Sequence, residues 1–81
     1  MRHPEVEEAE KNWKIADVKT RQARARLRGM PSRENTKALS ESEDQWEQAM
    51  TTWEDKVKDH GSPSDWLSLD VASRLRLRKA L

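Results

Sequence analysis

Val6, Ala9, Trp13, Ala16, Thr20, Ala23, Leu27 and Met30 recur at alternating intervals of three and four residues. That rhythm keeps side chains on one stripe of a helix, the seam through which two helices pair. A second stripe, Leu39, Trp46, Met50, Trp53, Val57 and His60, keeps the same rhythm with Glu43 filling one slot. Two striped helices joined by a short loop pack antiparallel. The pattern predicts an all-α fold, a coiled-coil-like helical hairpin followed by a third C-terminal helix.

Two glycines and three prolines set the boundaries. His3-Pro4 opens the first helix, because proline suits a first turn and Glu5, Glu7 and Glu8 complement the positive end of the helix dipole. Gly29 reads as its C-terminal cap and Pro31 blocks continuation. The second helix starts at a cap on either Ser32 or Asn35 and stops at Gly61. Ser62-Pro63-Ser64-Asp65 then offers a cap serine, a proline at the first helical position and an acid at the third, close to a capping box. The expected spans are about 4–28, 35–60 and 63–80 within one small domain, residues 1–81. Glu7/Lys11, Glu10/Lys14, Asp17/Arg21 and Glu54/Lys58 have the acid-first spacing of four that supports a helix.

Folding the chain about residue 33 places Leu27 opposite Leu39, Thr20 opposite Trp46, Ala16 opposite Met50, Trp13 opposite Trp53 and Ala9 opposite Val57. Large faces small in most layers, as interdigitation requires. The same register sets the basic stretch Lys19 to Arg28 against the acidic stretch Glu41 to Glu47. A stripe of this kind is ordinarily a core; the Ala-rich stripe with Thr20 also permits close approach of an identical helix, which makes a parallel dimer through the first helix the alternative.

The third segment departs from a simple surface helix. Trp66, Leu67, Leu69, Val71, Leu75, Leu77 and Leu81 spread over roughly two-thirds of a helical wheel, against the narrower stripe of an amphipathic helix. One face, Trp66/Leu69/Leu77, suits docking on the hairpin. The other, Leu67/Val71/Leu75, still needs covering, and uncovered apolar surface marks an interaction site. The plain alternative is a terminal tail whose leucines stay wet. Trp66, Leu67, Val71 and Leu75 are therefore the candidate partner-binding anchors, with Arg74, Arg76 and Arg78 setting orientation. The arginines also suit phosphate contacts, which makes a nucleic-acid-binding accessory the alternative. Arg-Leu alternation over 74–78 has the period of a strand added to a sheet edge, but the cap at Ser62 commits the segment to helix.

Composition sharpens the need for a partner. Leu, Ile, Val and Phe are only 12 of 81 residues, a level that approaches disorder. Sixteen basic residues nearly cancel fifteen acidic ones, however, and four Trp and three Met supply large side chains to bury. The result is a folded chain short of core, expected to gain stability from a protein partner or from copies of itself. A net charge of +1 gives no overall pull toward nucleic acid. No apolar run reaches the length of a membrane span, and the acidic start MRHPEVEEAE is unlike a signal peptide, so the cytoplasm is the expected compartment. Small size and dense Arg and Ala are common among bacteriophage and bacterial accessory proteins, for which a virion is a further setting.

Little in the chain suggests chemistry. Cysteine is absent, glycine occurs only as helix punctuation, and no nucleotide-loop, zinc-protease, calcium-loop or di-iron pattern occurs. The register does bring His3 and His60 to one end of the hairpin with Glu7 a turn away, without a pocket or supporting shell. No catalytic residue, cofactor, metal or small-molecule substrate is expected. The expected function is that of a non-enzymatic helical interaction or assembly module.

Overall fold

The computed structural model describes residues 2–80, and the side chains of residues 2–74. It is built of α1 (Pro4–Gly29), α2 (Arg33–His60) and α3 (Pro63–Ala80). Helices α1 and α2 form an antiparallel hairpin. At Gly61 the chain turns back, and α3 lies chiefly against α2. Among the described residues no helix is long and apolar enough to cross a membrane.

Each helix starts on a side-chain acceptor. His3 Nδ1 accepts from the Glu5 amide (3.2 Å), and Ser32 Oγ accepts from the Asn35 amide (3.1 Å). Ser32 is thus the cap of α2, and Asn35 sits inside the helix with a different task. Its Nδ2 donates to the Met30 carbonyl (2.7 Å) and lies 3.5 Å from the Arg26 carbonyl, occupying acceptors that the end of α1 leaves open. Gly29 is the last helical residue and Met30 is the cap, donating its amide to the Arg26 carbonyl. The reading of Gly29 as cap is corrected: Pro31 drives the residue before it out of the helical region, so Met30 breaks the helix at φ −145°.

The hairpin buries Val6, Ala9, Trp13, Ala16, Thr20 and Ala23 of α1 against Trp46, Met50, Trp53 and Val57 of α2. Trp13 is the hub. Its ring meets Trp53 at 5.2 Å and Trp46 edge-on at 5.8 Å, within the range where aromatic pairs add to area burial. The Thr20 hydroxyl lies 2.8 Å from the Ala16 carbonyl and 3.1 Å from the Ser42 carbonyl across the seam, sharing its proton between them. Trp46 Nε1 donates to Asp17 (3.0 Å). Toward the loop, Leu27 and Leu39 are only half-buried, so the core is concentrated at the open end, where α3 joins.

Candidate interaction surface

The attachment of α3 rests on three residues one and two turns apart. Leu69 and Ala72 enter the apolar core, and Asp65 is buried beside them at 1 % exposure. Positions 65, 69 and 72 lie on one helical face, so a carboxylate occupies part of the surface that docks. It is fully engaged. Asp65 Oδ2 accepts from the Ser62 amide (2.9 Å) and hydroxyl (3.0 Å), completing the cap of α3, and Oδ1 accepts from Arg2 Nε (2.9 Å). Arg2 Nη2 also reaches Glu10 of α1, and Lys14 pairs with Glu10 from one turn on (3.2 Å). The backbone bond from Ser62, with those from Arg2 and the Ser62 hydroxyl, holds the Asp65 carboxyl below its ordinary range against the opposing effect of burial. For Glu10, burial works against the charge, but hydrogen bonds from Arg2 and Lys14 outweigh it and keep its pKa low. Arg2 thus ties the start of the chain, α1 and α3 together by charge.

Of the expected docking face Trp66/Leu69/Leu77, Leu69 does enter the core, Trp66 does not, and the side chain of Leu77 lies outside the described residues. With about 100° between successive residues, Trp66 lies on one flank of the buried face, and Leu67, Val71 and Arg74 crowd the opposite side of the helix. Trp66 is half exposed and leans over a shallow depression shared with Glu54 and Lys58 of α2. Leu67 is 70 % and Val71 60 % exposed. Arg74 reaches back to Asp70 on its own helix (3.5 Å). Of the expected anchors, then, Leu67 and Val71 share an outward face with Arg74, and Trp66 stands apart from them. The side chains of Leu75, Arg76 and Arg78 lie outside the described residues.

Between α1 and α3 runs a cleft of about 290 Å³, lined by Glu10, Trp13, Lys14, Trp53, Ser68, Val71 and Ala72. Its floor is the tryptophan cluster, and Val71 forms its outer lip. The seam residues Trp13, Ala16, Thr20, Trp46, Met50, Trp53 and Val57 all serve the core.

Sequence reasoning missed Arg2, Glu10 as a buried residue, and the second half of the Asp65 role. The capping pattern at Ser62 identifies Asp65 as a helix-start acid, but a cap uses only one carboxylate oxygen. Nothing local signals that the other faces a cation from the far end of the chain. No protein-family model, curated protein or solved structure matches this chain.

Proposed function

We propose that this protein is a non-enzymatic helical interaction module whose outward α3 face docks on a protein surface, a second copy of the chain being the first candidate. The observation that carries the reading is the pairing of Leu67 and Val71, one turn apart on α3 and both largely exposed, with Val71 at the lip of the cleft above the core tryptophans. Burying two such side chains contributes up to about 3–6 kcal/mol, so a stable complex draws on further contacts around them to exceed the cost of association. Among the described residues nothing closes over them, and the molecule is drawn out. It measures 44 × 23 × 15 Å, with a radius of gyration of 14.0 Å where a compact chain of this length has about 12 Å. Its surface of 6069 Å² exceeds the roughly 5,000 Å² typical of its mass.

Arg74 at the edge of this face supplies orientation toward an acidic rim, and an apolar contact of this kind tolerates salt where phosphate binding does not. The test is light scattering of the full chain beside the Leu67→Glu/Val71→Glu double variant. The reading expects a mass above one chain for the parent and one chain for the variant, with equal helix content. A parent that stays at one chain over the whole accessible concentration range removes self-association as its mode of action.

A further inference from the structure

The chain contains two histidines and no cysteine, so it owns only two side chains of the kind that bind transition metals strongly. The fold brings both to one point. His3 precedes α1 and His60 ends α2, and their rings lie parallel, centroids 3.8 Å apart at an interplanar angle of 3°. Glu5 completes the group, with Oε2 3.1 Å from His60 Nε2. The carboxylate beside the histidines is therefore Glu5, not Glu7, because the first turn of α1 points residue 5 across at the end of α2. Each of the three side chains offers one ligand atom, and these atoms all lie within 4.8 Å of one another.

We propose that His3, Glu5 and His60 form a binding site for one divalent transition-metal ion of the zinc class. Two imidazoles and one carboxylate suit Zn²⁺, Ni²⁺ or Cu²⁺ and not Mg²⁺ or Ca²⁺, which take oxygen ligands. Tetrahedral zinc with ligands at ~2.0–2.1 Å sets them about 3.3 Å apart. Reaching that spacing from the present one takes side-chain rotation of the order of an ångström, and none of the three side chains is buried. The parallel rings must tilt so that their in-plane lone pairs converge, which opens the stack. His3 must also release a bond: its Nδ1 accepts from the Glu5 amide at 3.2 Å, long for such a bond. The ion then takes Nδ1 directly, or takes Nε2 once the ring proton has moved to Nδ1. Lys56 opposes binding, since its Nζ lies 3.6 Å from Glu5 Oε1 and holds the carboxylate as an ion pair.

Three protein ligands leave a fourth position for water or a partner's side chain. The ion would bind only a chain in which the start of α1 meets the end of α2, so it stabilises the open end of the hairpin, where α3 departs. This inference stands independently of the α3 face.

The experiment uses the full chain without an affinity tag, stripped with a chelator and titrated with ZnCl₂ at neutral pH by calorimetry. Thermal melts are recorded with and without zinc, and Co²⁺ serves as an absorbing probe. The expected results are one ion per chain, a raised melting temperature, and a Co²⁺ spectrum of low-coordinate nitrogen and oxygen ligation. His3→Ala and His60→Ala each weaken binding by at least about tenfold, and Lys56→Met strengthens it by freeing Glu5. These side chains lie at the surface, and circular dichroism checks that the variants fold. Two results overturn the proposal: no heat and no melting shift at about a hundredfold molar excess of zinc, or a His3→Ala/His60→Ala chain that binds as tightly as the parent.

Discussion

Replacing Asp65 with Asn keeps the shape of the side chain and removes its charge, which tests whether α3 is held as described. Asp65 is buried and accepts from the Ser62 amide, the Ser62 hydroxyl and Arg2. An Asn amide presents one oxygen and one NH₂ to these donors, so one side of the network becomes donor against donor. The capping share of the loss is about 0.5–2 kcal/mol. Arg2 is 41 % exposed in its side chain, so water screens the ion pair and its share is below about 1 kcal/mol. Together a loss of roughly 1–2.5 kcal/mol is expected, since such terms overlap. On the other side of the balance, Leu69 contributes about 1.5–3 kcal/mol by burial and Ala72 less than about 1. The polar network is thus comparable with the apolar contact, and its loss should release α3 before the hairpin melts. Urea unfolding followed by circular dichroism and tryptophan fluorescence measures the change, which corresponds to a melting temperature lower by roughly 4–20 °C. A double-mutant cycle with Arg2→Met should give a coupling of about 0.5–1 kcal/mol. If Asp65→Asn stays within about 0.5 kcal/mol of the parent and the cycle shows no coupling, α3 docks by another face.

The same network sets the acid response. Asp65 and Glu10 both have folded-state pKa values below their ordinary ones, so their contribution is complete above the unfolded pKa of about 4 and is lost as pH falls through the lower folded values. An acid titration by fluorescence should show α3 loosening below about pH 4, with a shallower acid limb in Asp65→Asn. The two glycines should respond oppositely to alanine. Gly61→Ala drives a methyl to 2.5 Å from the Val57 carbonyl and 2.6 Å from its side chain, costing about 1–3 kcal/mol in a thermal melt. Gly29→Ala meets nothing within 4 Å at a helical position and should stabilise by up to about 1 kcal/mol. Thr20→Val preserves shape and removes the hydroxyl shared between Ala16 and Ser42, costing about 0.5–1.5 kcal/mol in urea.

The spacing of Val6 to Ala23 and of Trp46 to Val57 determined the helices and their seams, and the short loop between them makes the antiparallel neighbour the nearest surface on which to bury those seams. The breaks at Pro31 and Gly61 were likewise set by the sequence alone. Gly61 nevertheless earns its place differently from the usual left-handed cap: its backbone is extended at φ −72°, and what matters is the space that Val57 denies to a side chain. Tertiary structure alone decided which face of α3 docks. Counting apolar residues on a wheel favours Trp66 and Leu69, whereas the turn at Gly61 presents Asp65, Leu69 and Ala72. A buried carboxylate is acceptable there because the Ser62 amide and hydroxyl donate to it and Arg2, remote in sequence, arrives to neutralise it. The meeting of His3 with His60 was legible from the register, since it sets both at the open end of the hairpin. The choice of Glu5 over Glu7 was not, because it depends on the rotation of α1 about its own axis, which a seven-residue rhythm leaves open by a fraction of a turn.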